Sequence, residues 1–375
     1  MAKQKKVTPI AKSEAELIKI IEKAHGSGSI MLGEGTIVPV DSYTTGIPSI
    51  DLALGCGGLP QGRIIEIYGP ESGGKTTTCL QFIAACQKHY FNSKERHGKA
   101  AFIDAEHAFD PEWAKKIGVD VDQLLFSQPS SGEEAFDIIE LMVKSRLVDL
   151  IIIDSVAALT PQVELDGELS DANVGAHARM MSKALRKLKG EINNSKTTVV
   201  FINQIREKVG VMFGSPETTP GGRALKFYAS IRGEVRRGTT LRSGDDVIGF
   251  KTSIKMVKNK VAAPFKRAEF DICVGHPERP IFGIDDLSSL LEVSKEFGIV
   301  TTTGSWFVYD GSKLGNGINA TLSYIRENED IKSKIMAETY EKVFSNNKPT
   351  NITLVPDVYE EDSEDLENAI LDGEE

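Results

Sequence analysis

A short glycine-containing segment at residues 69–76 restricts the fold more than any other feature of the chain. It reads Gly-Pro-Glu-Ser-Gly-Gly-Lys-Thr, which fits the pattern G-x-x-x-x-G-K-[ST]. An apolar stretch that favours a strand, residues 63–68, ends directly before it, and a stretch that favours a helix follows. In such a strand–loop–helix unit, backbone N–H groups and the helix N-terminus surround phosphate oxygens. The segment therefore predicts a nucleotide-binding α/β fold.

The residue types of this segment indicate how the nucleotide is held. Lys75 is expected to hold the β and γ phosphates, and Thr76 to bind Mg2+ through its hydroxyl, because hard cations prefer oxygen ligands. We assign nucleotide binding to the whole loop and the residue after it: Gly69, Pro70, Glu71, Ser72, Gly73, Gly74, Lys75, Thr76 and Thr77.

Acidic residues follow two further predicted strands. Asp154 ends the apolar run at residues 150–154, an arrangement in which a carboxylate reaches magnesium through water. Glu106 lies just beyond Asp104, where another strand ends at the same expected edge of the sheet, the edge where ligands gather in open α/β sheets. We interpret Glu106 as the base that orients the attacking water; the alternative is a solvated loop acid.

Apolar runs alternate with amphipathic stretches from about Ser49 to Arg237, which predicts a mostly parallel, twisted sheet flanked by helices. We predict strands at residues 63–68, 100–104, 150–154, 198–203 and 230–236. We predict four parts of the chain: an N-terminal helix and linker (1–44), an ATPase-type core (45–280), a small C-terminal α+β domain (281–348) and a disordered acidic tail (349–375). The first helix is predicted from Ser13, with Glu16 three residues on, to a stop at Gly26.

The net charge of -10 disfavours a nucleic-acid binder with a uniformly positive surface. Residues 357–375, however, contain ten acids and no Lys or Arg, and the acids elsewhere number 44, equal to the 44 bases. Basic patches can therefore exist outside the tail.

The four cysteines form no Cys-x-x-Cys pair, so they predict neither a zinc site nor a disulfide framework, and we expect them to be reduced and buried. The helix after the first strand is predicted to place Cys79, Ile83, Cys86 and Tyr90 on one face. No apolar run has the length of a signal peptide or a membrane span, so we expect a cytosolic protein.

Several motifs together resemble the bacterial RecA recombinase family. They are Gly69-Pro-Glu-Ser-Gly-Gly-Lys-Thr-Thr77, Phe102-Ile-Asp-Ala-Glu-His-Ala108, Ile153-Asp-Ser-Val-Ala-Ala-Leu159, Phe201-Ile-Asn-Gln-Ile-Arg206, Val211-Met-Phe-Gly-Ser-Pro-Glu-Thr-Thr219 and the segment from Gly221 to Ala229. The resemblance extends over residues 45–270. It implies a RecA-like P-loop ATPase that forms helical filaments with copies of itself on single-stranded DNA, searches double-stranded DNA for homology and exchanges strands, using ATP and Mg2+.

The same resemblance implies roles around the nucleotide. Glu106 becomes the catalytic base, and Gln204 senses the γ phosphate and passes its state to the following DNA-binding loop. Asp110 is implied to contact the adenine, and Trp113 stands where the family usually has a Tyr that stacks on the base. Lys258 and Lys260 match two lysines that reach the phosphates of the neighbouring subunit; the alternative is a solvated basic strand end.

The resemblance also implies DNA contacts. Val174 and Val209 match residues that wedge between base triplets. The remaining primary-strand positions are Arg179, Arg186, Arg206, Lys208, Gly221, Gly222 and Arg223. Contacts to the phosphate backbone give affinity without reading sequence, as a homology search requires.

A second basic strip, Arg236, Arg237 and Lys255, matches a weaker site for the displaced or incoming strand. Ser253 stands where the family has a basic residue, and Lys251 lies on the same strand face, two residues earlier.

Two alternatives stay open at this point. One is a hexameric helicase with the same core, although such enzymes usually carry an N-terminal domain larger than the 44 residues before Thr45. The other is a regulatory filament that activates autocleavage of a LexA-type repressor in the SOS response. The source, cellular or viral, stays open as well.

Deletion of residues 357–375 is expected to speed assembly on duplex DNA and to lower the Mg2+ requirement, with ATP affinity unchanged. A mobile polyanion competes with DNA phosphate, and Mg2+ screens its carboxylates. Duplex binding across a magnesium series at one ionic strength, for full-length and truncated protein, measures this. Superimposable curves would leave the tail as a solubility device.

Overall fold

The computed structural model describes residues 11, 13–26, 30, 40–91, 94–168, 173, 175–207, 217–277 and 279–345. The acidic tail lies outside these residues, and so do three predicted DNA contacts, Val174, Lys208 and Val209. Their assignments stay predictions.

The secondary structure alternates strands and helices through the core and changes to a smaller mixed unit near the C-terminus. The strands are β1 (Ser42–Tyr43), β2 (Leu59–Pro60), β3 (Ile64–Gly69), β4 (Tyr90–Phe91), β5 (Arg96–His97), β6 (Ala100–Asp104), β7 (Leu125–Ser127), β8 (Leu150–Asp154), β9 (Thr198–Gln204), β10 (Arg206–Glu207), β11 (Glu217–Thr218), β12 (Ile231–Ser243), β13 (Asp246–Asn259), β14 (Arg267–His276), β15 (Arg279–Ile284), β16 (Val300–Thr303), β17 (Trp306–Tyr309) and β18 (Ser312–Asn316). The helices are α1 (Glu14–His25), α2 (Pro48–Leu54), α3 (Lys75–Lys88), α4 (Pro111–Ile117), α5 (Gly132–Ser145), α6 (Gln162–Asp166), α7 (Ala176–Ser195), α8 (Ala224–Tyr228), α9 (Asp286–Glu296), α10 (Ile318–Glu327) and α11 (Glu329–Ser345).

The main sheet has nine strands in the order β15-β14-β13-β12-β3-β9-β8-β6-β7. Pairs between neighbours are parallel from β12 to β7 and antiparallel from β12 to β15. The mostly parallel sheet predicted from the sequence is confirmed, and each predicted strand forms. The strand predicted to end at residue 236 continues to Ser243 as one arm of a long hairpin.

Helices cover both faces of this sheet because its central strands are apolar on both faces. Side chains of successive residues alternate between two buried clusters, as Ile151 and Ile153 in one and Ile152 in the other show. The first cluster includes side chains from α2, α3 and α4, and the second includes side chains from α5 and α7. This packing fixes the strand ends that carry the polar residues.

The cysteines are free, and three are buried: Cys79, Cys86 and Cys273. Cys56 is only partly buried, so the expectation of four buried thiols was wrong for that residue. The predicted helical face also ends early, because α3 stops at Lys88 and Tyr90 belongs to the short strand β4.

Helix α1 begins and ends as the sequence predicts. The Ser13 hydroxyl accepts a hydrogen bond from the Glu16 N–H at 3.3 Å, and the Gly26 N–H donates to the Glu22 carbonyl. Every described side chain of α1 remains at least partly exposed, and Leu17 is 45% exposed. The apolar side chains of this helix are therefore not covered by the core of its own chain.

A smaller unit follows the main sheet. Strands β16, β17 and β18 form an antiparallel sheet that packs with α9, α10 and α11 around a separate hydrophobic cluster. The domain boundary predicted at residue 280 falls inside β15, whose backbone pairs with β14 as far as Ile284. The main sheet therefore continues past the predicted boundary.

A buried polar cluster joins this unit to the core. The Asp51 carboxylate, 0% exposed on α2, accepts hydrogen bonds from the Thr44 hydroxyl at 2.5 Å and the Tyr340 hydroxyl of α11 at 2.5 Å. It also accepts from the Thr45 N–H at 2.9 Å and the Thr45 hydroxyl at 2.7 Å. Burial raises the pKa of Asp51 to about 6, although these hydrogen bonds act in the opposite direction.

Asp51→Asn is expected to make the stability of the protein less dependent on pH between about 4 and 6. Because burial raises the native pKa of Asp51 above the ordinary value of 3.8, the native chain binds a proton more tightly than the unfolded chain there. This group therefore lowers the free energy of unfolding as the pH rises to about 6. In the variant, an amide can keep the Thr45 donors on its oxygen and donate to the two hydroxyls.

Thermal unfolding of parent and variant at pH 4.5 and pH 7, about the two ends of this titration, measures the effect. The stability of the parent minus that of the variant should be larger at pH 4.5 than at pH 7. An identical pH dependence for both proteins would contradict the titration of Asp51.

Candidate functional site

The phosphate loop is built by close backbone packing that excludes side chains. A Cβ atom at Gly69 would lie 2.1 Å from the Val235 carbonyl oxygen, and one at Gly74 would lie 2.4 Å from the Ile272 Cδ1 atom. Gly74 also has φ 95°, the left-handed conformation that glycine adopts without strain. The chain can therefore turn from β3 into α3 within a few residues.

Lys75 is the first residue of α3 and reaches back across the loop. Its Nζ donates to the Pro70 carbonyl at 2.7 Å, and the residue is only 8% exposed. Burial lowers the pKa of this ammonium group, while the nearby carboxylates of Asp154 and Glu106 favour the charged form. The cation is thus held within the phosphate loop, beside its Pro70 carbonyl.

Thr76 and Asp154 meet directly, as their predicted roles require. The Thr76 hydroxyl donates to Asp154 Oδ2 at 2.7 Å. Burial raises the pKa of Asp154 to about 6, the Thr76 hydrogen bond opposes this, and the charge of Glu106 adds to it. A hydroxyl and a carboxylate at the end of a buried strand are the oxygen donors that magnesium prefers, so this pair fits the ion.

Glu106 stands next to Asp154 and has two hydrogen-bond donors on one oxygen. The Gln204 amide donates to Glu106 Oε1 at 3.0 Å, and the Ser155 hydroxyl donates to the same atom. The three residues come from the ends of β6, β8 and β9, which are neighbours in the sheet. The structure therefore brings together Lys75, Thr76, Glu106, Asp154 and Gln204.

The aromatic residue expected at the base lies beside the loop. The Asp110 carboxylate caps α4 by accepting from the Trp113 N–H at 3.0 Å, and the Trp113 ring N–H donates to the Thr77 hydroxyl at 3.4 Å. A second ring, Phe282 of β15, lies edge-on to Trp113 at a centroid distance of 6.1 Å. Trp113 therefore lies beside the phosphate loop and packs against Phe282, and its stacking on a base stays a prediction.

Sequence reasoning missed Ser155 and Phe282. Ser155 follows the Asp154 strand immediately, and its position after that aspartate was the available signal. Phe282 had no signal, because β15 reaches the site only through the antiparallel half of the sheet.

The structure does not bring Lys258 and Lys260 to the phosphate loop of their own chain. Lys258 pairs with Arg232 on β12, and Arg232 pairs with Glu66, three residues before the loop begins at Gly69. The Lys260 N–H donates to the Ser230 carbonyl, so the chain leaves the sheet at the edge opposite the nucleotide. Lys258 Nζ donates instead to the carbonyls of Lys226 at 2.6 Å and Phe227 at 3.2 Å.

Several predicted primary-strand contacts are neighbours near the start of α7. A Cβ atom at Gly222 would lie 2.9 Å from the Cβ atom of Ala178, the residue directly before Arg179, and Arg223 follows Gly222. Arg179, Gly222 and Arg223 are exposed, and so is Arg186, two turns further along α7. Gly221 is buried against Val156.

Arg206 lies near the start of residues 205–222, the segment predicted to bind DNA and called the DNA-facing segment below, and the glycine pair lies at its end. Arg206 is exposed on β10 and pairs with Thr218 of β11. This pairing joins the two ends of that segment.

The second basic strip is divided between two faces of the hairpin. Arg236 pairs with Ser253, which shares a strand face with Lys255, and the Arg236 guanidinium bonds Glu234 at 2.7 Å. Arg237, the next residue, points to the other face and lies over the Phe250 ring at 4.3 Å. Arg236 and Arg237 therefore lie on different faces of the hairpin, and their assignment to a DNA site stays a prediction.

Lys251 shares the face of Ser253, as predicted. Its Nζ lies 3.9 Å from an Asp271 oxygen, so part of its charge is offset.

In the described residues, no helix is long and apolar enough to cross a membrane.

Comparison with known proteins gives one consistent result. Residues 12–277 match the family model RecA N-terminal domain, and residues 288–343 match RecA C-terminal domain. The chain is 52% identical over 324 residues to Protein RecA of Mycobacterium sp. (strain KMS), covering 86% of this chain and 90% of that protein. It is 53% identical over 324 residues to Protein RecA of Mycolicibacterium smegmatis, covering 86% and 89%. Protein RecA of Streptomyces avermitilis is 49% identical over 337 residues, covering 90% and 86%. The chain therefore belongs to the RecA family of recombinases, DNA-dependent ATPases that bind DNA, assemble into filaments and exchange DNA strands.

Proposed function

We propose that this recombinase hydrolyses ATP at sites shared between adjacent subunits of a filament on single-stranded DNA, with Glu106 as the base. The observation that carries the proposal is the shared oxygen of Glu106, which accepts from both Gln204 and Ser155 beside the Thr76–Asp154 pair. The Gln204 side chain thus connects Glu106 to the end of β9, where the DNA-facing segment begins.

The phosphate loop and its neighbours bind the nucleotide. Lys75 and the loop N–H groups hold the β and γ phosphates, Trp113 stacks on the base, and Asp110 contacts the adenine. Thr76 and Asp154 would hold Mg2+, which supplies positive charge beside the phosphates when bound.

Glu106 takes a proton from the attacking water as that water approaches the γ phosphorus. Its two hydrogen bonds hold the carboxylate group in one orientation. The Gln204 amide that donates to Glu106 can instead donate to a γ-phosphate oxygen, which leaves Glu106 free to accept from water. Loss of that phosphate returns Gln204 to Glu106, and β9 carries the change toward Arg206.

Lys258 and Lys260 complete the site of a neighbouring chain in this proposal. Their position at the opposite edge of the sheet supports it, because a head-to-tail assembly places this edge of one subunit near the nucleotide edge of the next. The exposed Leu17 of α1 supports docking of that helix on a neighbour.

DNA binds along the exposed Arg179, Arg186, Arg206, Gly222 and Arg223, and a second strand binds more weakly at Arg236 and Lys255. The same filament would serve as activator of a LexA-type repressor in the SOS response, which an autocleavage assay tests. Because DNA is the substrate, we place the protein at the nucleoid in the cytoplasm.

Glu106→Gln is expected to keep ATP affinity and to lower kcat by about 100-fold or more, because an amide fits the same space but cannot take a proton. Steady-state hydrolysis with saturating single-stranded DNA, together with nucleotide binding, measures both quantities. Glu112→Gln on α4 is the matched control, since Glu112 is an exposed acid near the same edge. Equal kcat values for Glu106→Gln and the parent would remove Glu106 from the base role.

Mixing experiments test whether the site is shared. Lys75→Ala alone and Lys258→Ala with Lys260→Ala are each expected to lose DNA-stimulated hydrolysis and joint-molecule formation. Mixed filaments contain some interfaces with an intact phosphate loop and intact lysines, so partial activity should return. Lys334→Ala with Lys342→Ala, two exposed lysines of α11, is the control and should behave like the parent. No recovery at any ratio, with subunit exchange demonstrated, would place the site within one chain.

A further inference from the structure

A buried amide lies between the nucleotide edge and the DNA-facing segment. Asn203 of β9 is 0% exposed and directly precedes Gln204. Its Oδ1 accepts from the Gln204 backbone N–H at 3.0 Å. Its Nδ2 donates to Glu66 Oε1 at 3.0 Å and to the Pro220 carbonyl at 3.1 Å. Both hydrogens and the oxygen of this amide are therefore used.

These three bonds join segments that are far apart in sequence. Glu66 lies on β3, the strand that leads into the phosphate loop. Pro220 directly precedes Gly221 and Gly222, which pack on Val156 and Ala178 beside the predicted DNA contacts. The chain leaves β9 after Gln204 and returns at Pro220, so the Asn203 side chain holds the two ends of the DNA-facing segment together.

Glu66 gives this connection a rigid base. Its carboxylate is 0% exposed, and its second oxygen accepts from Arg232 Nε of β12 at 2.5 Å. The Arg232 guanidinium lies over the Tyr68 ring at 4.5 Å. A buried carboxylate with one cation and one amide donor is costly to rearrange, because each partner satisfies a charge that water cannot reach.

We propose that Asn203 is a positioning residue that couples nucleotide state to DNA binding by fixing Pro220 relative to Gln204 and the phosphate-loop strand. The inference rests on the proposed role of Gln204. A shift of Gln204 moves the backbone N–H that bonds Asn203, and the same amide transmits the shift to the Pro220 carbonyl. Loss of the bond to Pro220 releases Pro220 from the end of β9 without removing a group that contacts ATP or DNA.

The pair Asn203 and Glu66 permits a test that separates coupling from folding. Asn203→Asp keeps the acceptor for Gln204 but loses both donors and places a carboxylate against Glu66. Adding Glu66→Gln restores one hydrogen bond between the two positions and keeps one negative charge near Arg232. It cannot restore the bond to Pro220, since the donor at position 203 is still absent. Glu66→Gln alone keeps the Asn203–Pro220 bond.

The measurements are the ratio of hydrolysis rates with and without single-stranded DNA, the effect of DNA on ATP affinity, and thermal stability. Asn203→Asp, and the same substitution combined with Glu66→Gln, should both lower the DNA stimulation about fivefold, the factor expected for one buried hydrogen bond of about 1 kcal/mol. The DNA effect on ATP affinity should fall by a similar factor, because coupling is reciprocal. The combined variant should regain thermal stability, and Glu66→Gln alone should retain stimulation.

The proposal would be overturned if the DNA stimulation of hydrolysis rose and fell with thermal stability across the three variants and returned in the combined variant. Asn203 would then act in folding only. If Asn203→Asp does not fold, Asn203→Ala gives the same comparison without the added charge, and normal stimulation there would overturn it equally. If DNA does not stimulate hydrolysis by the parent protein, the proposed function itself is contradicted. Failure of the Asn203 proposal is a different result, because the parent is then stimulated by DNA and only the order of the variants differs from the one expected.

Discussion

Parallel pairing of β3, β9, β8 and β6 is the constraint on which the rest of the site depends. In a parallel sheet, the carboxyl ends of the strands meet at one edge, so polar residues that are distant in sequence become neighbours. The register pairs Asp104 with Asp154 and Gly69 with Gln204. The apolar residues before these ends are buried on both faces, and this packing prevents a slip in register that would scatter the polar groups.

Much of this arrangement could be predicted from local sequence. The phosphate loop has a fixed spacing, and each parallel strand is a short β-branched run, so both are visible without knowledge of the fold. The sequence predicts Lys75, Thr76 and Asp154 at one site because each belongs to a segment whose direction is set by its strand. In the structure Thr76 donates to Asp154, and the roles of the three residues toward the nucleotide and Mg2+ stay predictions. The capping of α1 by Ser13 was equally local, since the bond spans three residues.

The remaining features depend on which strands pair, and the sequence does not state this. Phe282 reaches Trp113 through an antiparallel extension of the sheet, and the division of Arg236 and Arg237 follows from their consecutive positions on one strand. The polar cluster at Asp51 needs Tyr340, which lies 289 residues further along the 375-residue chain. Such contacts have no periodic signature, because a single hydrogen bond leaves no pattern along the chain.

The location of Lys258 and Lys260 has a consequence for how activity depends on assembly. They lie across the sheet from the phosphate loop of their own chain, so under the proposed sharing an isolated chain contains two incomplete halves of a site. A linear assembly then has one complete site fewer than it has subunits, because one end supplies lysines to no neighbour and the other end receives none. Under that arrangement, turnover per chain rises with filament length and then levels off. Dilution lowers it more steeply than the release of ATP or DNA alone would, because dilution also removes the interfaces that complete the sites.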